Sequence, residues 1–446
     1  MNLCIVSSDD FFSDYGGGQV YVRNLVDEMV RRHHASENDN RDTINVSVIS
    51  FVANTRPSIK DYKGVNIHQV SDEQTFRDTL QQIHPDIVHA NGEKLLTARL
   101  CKELGIPCVV TAHHGGLVCP AGTLLNTDDE ICRIPADYTH CLKCYLRNTP
   151  TGLFWYQLLK HYSQQHYIRI GQRLERLPFV PFLTPIGRTG QIVTQKLAEW
   201  QELSQTATHF IAPSNAMAEA LERNGCPKDK ITVIPHGIPD NGSRFKVQGS
   251  INNKADLTPH TSHLIPHTST INFYYVGRIN YVKGIHILLK AFSSIDNLDI
   301  KLHLIGGAGN KAEQRYMERL QRQYRGDNRI IWHGKIPYDQ MSDLIKKFDC
   351  LVHPAIYLEV FGLNIAEAMQ ADKYVIATQC GGAEMQIHSD SEGLLVEPNN
   401  KEALTNAMKQ FISHPHISSA IVKDISQHVE ELIYFYQNTM QLKCQA

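Results

Sequence analysis

Short apolar runs alternate with amphipathic stretches along nearly the whole chain. Over the first 112 residues, runs at 2–7, 44–52, 65–70, 86–89 and 107–111 predict strands, and segments 17–33, 72–83 and 92–104 predict helices. The rhythm resumes at 209–212, 214–224 and 231–235. It returns again from residue 271, with strands expected at 272–276, 301–305, 329–332, 350–353, 374–377 and 393–396. Helices are expected between them at 284–293, 311–324, 338–348, 362–370 and 401–412. Strands that alternate with helices form parallel sheets with crossover connections. The fold class is therefore α/β, with two Rossmann-like doubly wound domains facing across a cleft.

Two stretches break the rhythm. Residues 115–205 hold cysteines and aromatic-rich helical patterns, and read as an insertion in the first domain. Residues 239–270 turn to Asn, Ser, Thr, His and Lys, the composition of an exposed linker. The boundaries expected are 1–238 for the first domain, 271–420 for the second, and a last helix at 421–446 that packs back on the first.

Charge and composition narrow the function classes. Lys and Arg number 44 against 46 Asp and Glu, so no global basic field exists to wrap nucleic acid. No apolar run is long enough to span a membrane, and the opening residues do not resemble a secretion signal. Eleven cysteines in such a chain read as mostly reduced thiols. The expectation is a cytoplasmic, multi-domain protein.

In open α/β sheets, ligands bind beyond the carboxyl ends of the strands, so chemistry is sought on the strand-to-helix loops. Gly16, Gly17 and Gly18, followed by Gln19, sit between the first strand and first helix. They either let backbone amides approach a phosphate at a helix N-terminus or make an ordinary turn. Arg278 and Lys283, with Gly277 and Gly284, occupy the loop after the strand at 272–276. A guanidinium fork and a mobile ammonium suit a diphosphate leaving group, whose developing charge needs a partner. Glu359 and Glu367 flank Phe361, Gly362 and Leu363 at the start of a helix. Carboxylates there can hold sugar or ribose hydroxyl pairs, or simply complement a helix dipole.

Cys119, Cys132, Cys141 and Cys144 lie within 26 residues, the last two as Cys-x-x-Cys. They either wrap a structural Zn²⁺ or stand as reduced thiols in a loop. No catalytic metal or cofactor is expected, because Arg278 and Lys283 already carry the positive charge. Residues 143–198 carry eight Lys and Arg against the single acid Glu175, interleaved with Phe154, Trp155, Tyr156, Leu158 and the run at 177–186. That texture suits an anionic membrane surface, or else aromatics in a core beneath solvated cations.

Taken together, the motifs resemble glycosyltransferase family 4, retaining nucleotide-sugar enzymes of GT-B fold. The matching parts are the Gly16, Gly17, Gly18 loop, Thr111-Ala112-His113, Pro235-His236-Gly237 and Val276-Gly277-Arg278 with Lys283-Gly284. The Glu-x7-Glu element at Glu359 and Glu367, then Gly381-Gly382 with Glu384 and Gly393-Leu394-Leu395-Val396, complete the order. Departures include His236 where asparagine is usual and Gln19 where glutamate is frequent.

The resemblance implies roles position by position. Arg278, Lys283 and the Gly18 amide would meet the donor diphosphate. Glu359 and the backbone of Phe361, Gly362 and Leu363 would hold the donor sugar, and Glu367 the ribose. His113 would close over the sugar as a neutral hydrogen-bonding group. The donor would be a UDP- or GDP-sugar and the acceptor a glycan or lipid-linked hydroxyl. The setting would be surface polysaccharide or lipopolysaccharide assembly at the inner face of the membrane. A nucleotide-sugar epimerase of similar fold, or an inactive sugar-nucleotide-binding protein, fits the same two-domain outline. The intact set of Arg278, Lys283, Glu359 and Glu367 argues against the inactive protein.

Overall fold

The structure, a computed structural model, describes residues 1–7, 10–13, 17–36, 44–147, 151–176, 184–239 and 270–444. Gly16 and nearly all of the expected linker lie outside them. The contacts divide the chain into two units. One holds Met1–Gly237 and Ile425–Ala446, and the other holds Ile238–Asp424.

The first unit contains strands β1 (Asn2–Ser7), β2 (Asn45–Phe51), β3 (Ser58–Tyr62), β4 (Val65–Val70), β5 (Ile87–Ala90), β6 (Cys108–Thr111), β7 (His209–Ala212) and β8 (Ile231–Val233). They form one sheet in the order β3-β4-β2-β1-β5-β6-β7-β8. All neighbours run parallel except β3 and β4. The central strands are apolar runs buried on both faces, as parallel sheets covered by helices require. β3 escapes sequence reading because it is an edge strand, Ser-Ile-Lys-Asp-Tyr, exposed over four of its five residues. It therefore lacks the alternation that marks a half-buried strand.

The second unit contains β9 (Ile271–Val276), β10 (Ile300–Ile305), β11 (Ile330–Gly334), β12 (Cys350–His353), β13 (Tyr374–Thr378) and β14 (Leu394–Val396). Their order is β11-β10-β9-β12-β13-β14, all parallel. β9 is the first strand in sequence and lies near the middle, so the winding direction reverses beside it. That reversal opens the crevice where loops after β9 and β12 converge.

The end of the chain departs from expectation. The final helix is Ile425–Cys444, and residues 421–424 belong to the second unit. Ile238 makes a parallel bridge with Asp424 and donates its N–H to Lys423 O at 3.0 Å. Ile238 also packs with Phe361, Ala366 and Val422, so burial anchors the returning chain there. The helix itself joins the core of the first unit. Val429, Leu432 and Tyr436 lie against Val22, Leu25 and Val26 of the helix Gly17–Ser36.

Two polar links from this helix pierce that core. His428 Nε2 and the Tyr21 hydroxyl share a hydrogen bond of 2.9 Å. The Tyr436 hydroxyl meets His89 Nδ1 at 2.7 Å, and His89 Nε2 meets Thr111 Oγ1 at 2.6 Å. Burial, aided by the charge of Lys94, pushes His89 down to about 3. An unfolded histidine takes its proton near pH 6.5, whereas this one refuses it until about pH 3. Between those values the unfolded chain binds more protons, so stability must fall as pH drops. Urea unfolding across pH 6.5 to 4.5 should show the wild-type slope exceeding that of His89→Gln by about 1.4 kcal/mol per pH unit. Identical slopes would mean that His89 titrates normally.

Candidate active site

The loop from β9 into the helix Ile285–Ser293 is tightly determined. The Tyr275 hydroxyl donates to Arg278 O at 2.7 Å, and Asn280 Oδ1 accepts the Lys283 N–H at 3.1 Å. Gly284 has φ +71°, and a Cβ there would stand 1.8 Å from Pro354 O. Only glycine permits that approach, which presses the loop against the chain leaving β12. Lys283 is thereby delivered to Glu359.

Glu359 is fixed from both sides. Its N–H donates to Cys380 O and its carbonyl accepts from Gly382 N–H, both at 2.8 Å. The Lys283 ammonium pairs with Glu359 Oε2, and the two side chains are only 17% and 14% exposed. The Tyr357 hydroxyl donates to the same oxygen at 2.9 Å, and Lys283 Nζ lies 5.1 Å from the Tyr357 ring centroid. His353 Nε2 stands 3.5 Å from that oxygen as well. Asn364 Nδ2 donates to Val276 O at 3.0 Å and to His353 Nδ1 at 3.1 Å. The amide therefore leaves the imidazole proton on Nε2, which is buried 3.5 Å from Glu359 Oε2 without forming a hydrogen bond.

The electrostatics follow from this packing. Burial alone would raise the Glu359 pKa, but Lys283 and His353 overcome it and hold the carboxyl well below the usual range. Burial would likewise lower Lys283, and Glu359 holds it well above its ordinary value. His353 has no such rescue: burial outweighs Glu359 and keeps it neutral. The result is an ionised carboxylate and an ammonium locked together at the carboxyl ends of the strands.

Other expected residues gather around this pair or stand apart from it. Arg278 is 66% exposed, with Nη1 3.9 Å from Glu313 Oε1. Glu313 also accepts the Gly309 N–H at 2.6 Å and the Asn280 amide at 3.2 Å, which ties the loops after β9 and β10 together. Gly362, at φ +81°, starts the helix Leu363–Gln370, whose first turn carries Leu363 beside the buried Phe361. Glu367 lies half-buried one turn further along that helix.

In the first unit, His113 follows β6 and its Nε2 lies 2.6 Å from Asn91 Oδ1, so that nitrogen donates. The Tyr21 ring meets it edge-on at 5.0 Å and the His236 ring lies at 5.4 Å. Burial, then the charge of His236, pushes His113 well below the ordinary value, leaving it neutral near pH 7. Gly17 and Gly18 open the helix Gly17–Ser36, and Gly16 lies outside the described residues.

The four cysteines of the insertion are free and line one cavity of about 190 Å³. Among the described residues, no three His, Cys, Asp or Glu side chains already stand as a metal-binding group. The basic stretch splits. Trp155, Tyr156 and Leu159 pack with Leu142, Leu146 and Tyr167, and Ile186 is buried there too rather than available to a surface. Leu153, Phe154, Leu158 and Tyr162 point outward, 43–67% exposed. Residues 177–183 lie outside the described set.

His353, Tyr357 and Asn364 are the contributors that motif reading misses. The available signal was position: His353 ends a buried strand, and Asn364 lies inside the Glu-x7-Glu element.

Two family descriptions match the chain. The description "Glycosyltransferase Family 4" matches residues 15–129 and 183–241, and "Glycosyl transferases group 1" matches residues 261–428. The chain belongs to glycosyltransferase family 4. Both carboxylates, Arg278 and Lys283 fall in the second match, and His113 in the first.

Among curated family relatives, an uncharacterized glycosyltransferase of Methanocaldococcus jannaschii is 26% identical, over 57% of this chain and 65% of its own. The O-antigen chain mannosyltransferase C of Escherichia coli is 26% identical over 46% of this chain and 51% of its own. The lipopolysaccharide 1,2-N-acetylglucosaminetransferase of Salmonella typhimurium is 26% identical over 48% and 55%. Each match thus covers less than two thirds of the relative's length. Among solved structures, sucrose-phosphate synthase of Thermosynechococcus elongatus superposes with TM-score 0.61 at 18% identity, over 100% of this chain and 98% of its own. The Anabaena protein HepE, in complex with UDP-glucose, gives 0.57 at 15% identity over 100% and 98%. The shared architecture is the GT-B fold.

The central ion pair makes a direct prediction. Lys283→Met should leave Glu359 as a buried carboxylate without its cation and cost about 3–5 kcal/mol in urea unfolding. Adding Glu359→Gln should restore much of that loss, because a neutral amide needs no counter-charge. A double variant no more stable than Lys283→Met would show that the pair is not coupled.

Proposed function

We propose that this protein is a retaining hexosyltransferase, moving a sugar from a UDP- or GDP-sugar to an acceptor hydroxyl. The observation that carries the reading is the Lys283–Glu359 pair, with the exposed Arg278 on the loop that carries Lys283. Two cations at strand carboxyl ends suit a diphosphate, and they count most where charge develops as it leaves. Glu359, rigid and ionised, accepts hydrogen bonds from donor-sugar hydroxyls. Glu367 takes the ribose diol, and the amides near Gly362 face the sugar. In the first unit, the neutral imidazole of His113 is the hydroxyl-binding group, and the helix starting at Gly17 and Gly18 offers amides to phosphate.

The state of Glu359 also bears on the route. A carboxylate held well below its normal range by Lys283 is a weak base and a weak nucleophile. That disfavours an epimerase, which needs a competent base at the sugar. It favours a front-face transfer in which the departing diphosphate accepts the acceptor's proton, with retention at the anomeric carbon.

A panel of nucleotide sugars, followed by release of nucleotide and the anomeric configuration of the product, tests this reading. Arg278→Ala should lower turnover about 10²-fold or more without a change in unfolding, since its side chain is largely exposed. Glu367→Ala should chiefly weaken nucleotide binding. Near-normal turnover in the Arg278 variant would overturn the diphosphate assignment. Isomerisation of the donor without an acceptor would replace the transferase by an epimerase, and an inverted product would remove retention.

The acceptor is proposed to be lipid-linked, within lipopolysaccharide or surface polysaccharide assembly at the inner face of the membrane. Leu153, Phe154 and Leu158 expose an apolar side of the helix Gly152–Leu159, near in sequence to the exposed Lys160, Arg169, Arg173 and Arg176. Such cations contribute about 1 kcal/mol each at an anionic surface. No helix among the described residues is long and apolar enough to cross a membrane, so contact would be peripheral. Binding to anionic vesicles should be salt-sensitive and should fall when Arg169, Arg173 and Arg176 become Gln. A wild-type protein that ignores such vesicles at low salt would point to a soluble acceptor.

A further inference from the structure

The segment between β6 and the helix Tyr138–Leu146 is long, and little regular structure holds it. Among the described residues it has one 3₁₀ turn at Gly115–Leu117 and a single antiparallel bridge between Leu125 and Ile131. Yet its path is definite, and it brings four thiols from three separate places to one cavity. Cys119 follows the 3₁₀ turn, Cys132 follows the bridge, and Cys141 and Cys144 lie one turn apart on the helix.

The backbone at these positions is already fixed. The Cys119 N–H donates to Gly115 O at 2.9 Å, and Cys119 O accepts the Gly122 N–H at 2.8 Å. The Cys132 N–H donates to Leu124 O at 2.7 Å, and the Cys141 N–H to Asp137 O at 3.0 Å. Arg147 ties the helix to the turn, donating to Asn126 O at 2.9 Å and to the Asp129 carboxylate. The nearby imidazole of His140 is taken by Asp137, so the ligand set is four sulfurs.

We propose that Cys119, Cys132, Cys141 and Cys144 bind one Zn²⁺ as a structural tetrathiolate site. A tetrahedral ion needs each sulfur at about 2.3 Å. Among the described residues the sulfurs do not yet form a ligand group, so the shell requires the cysteine side chains to rotate into the cavity they line. The weak contact of Cys132 Sγ with Ile134 O, at 3.9 Å, yields readily. Binding releases the thiol protons to solvent and involves no redox change. The ion adds a cross-link to a segment that little regular structure holds, as metals do in small loop-rich modules. Since the segment leaves β6 directly after His113, the same ion fixes the chain that follows that residue. The site stands independently of the proposed transfer reaction.

Protein purified under reducing conditions without chelator should contain about one zinc per chain. Exchange into Co²⁺ should give the intense thiolate-to-metal absorption and the visible bands of tetrahedral cobalt. Cys141→Ser with Cys144→Ser should lose the metal, whereas His140→Ala should retain it. If the double variant fails to fold, the cobalt spectrum of the wild-type chain still decides the matter. Wild-type protein with less than a tenth of an equivalent of zinc and no cobalt–thiolate band would overturn the proposal. So would a mass showing Cys141 and Cys144 oxidised to a disulfide, or a His140 variant devoid of metal.

Discussion

A buried ion pair between two loops is what the second unit is arranged around. Removing an ammonium and a carboxylate from water is costly, and their attraction offsets that cost only when geometry is good and the remaining hydrogen-bonding capacity is used. Here one oxygen of Glu359 faces Lys283 and Tyr357, with His353 beyond them. Each of those residues comes from a strand end or the turn just after it. The pair therefore dictates that the loops after β9 and β12 meet, and the close approach of Gly284 to Pro354 is the steric condition for the meeting. Asn364 extends the constraint to a third element by bonding Val276 O and His353 together.

The first unit uses burial differently. His89 is fully buried and His113 half-buried, and desolvation drives both toward the neutral form. A neutral imidazole is a donor at one nitrogen and an acceptor at the other, and this unit uses that duality to link distant segments. His89 joins Tyr436 of the last helix to Thr111 on β6, and Thr111 lies two residues before His113. The final helix is thus part of the framework under the His113 loop, even though more than three hundred residues separate them in sequence. His236, where the family usually has asparagine, adds a ring beside both Tyr21 and His113.

How much of this was legible depended on which physical signal each part leaves in the sequence. Strands buried on both faces leave apolar runs, and β1, β4, β7 and β12 fall where those runs predict. β3 leaves none because it is solvated and held by its neighbour's backbone alone. Lys283, Glu359 and Arg278 were readable because charged residues on strand-to-helix loops are conspicuous. Their supports were not: His353 and Asn364 look like any polar residue until the fold shows which proton the imidazole keeps. The boundary at 421 was misplaced for a related reason. Ile238 and Val422 meet only through tertiary packing, and nothing local in either segment announces the contact. The basic, aromatic stretch at 143–198 held two answers at once. Within a single helix, Tyr156 faces a core while Phe154 and Leu158 face solvent.

The ion pair also limits what chemistry the second unit can perform. A general base needs a pKa near the working pH, and a carboxylate nucleophile needs a lone pair free of competing donors. Glu359 fails the first requirement, because the contacts that stabilise its charge lower its basicity, and at Oε2 it fails the second as well. What it retains is a fixed orientation and a full negative charge, the properties of a hydroxyl-binding group. Lys283 is the converse. Its charge is secured by Glu359 before any ligand arrives, so under the proposed transfer an incoming diphosphate would meet an ammonium already desolvated. Under the proposed transfer, the base for the acceptor hydroxyl must then be the departing diphosphate itself. Its charge at that instant is the quantity Lys283 and Arg278 would moderate, one locked in the interior and the other exposed at the surface.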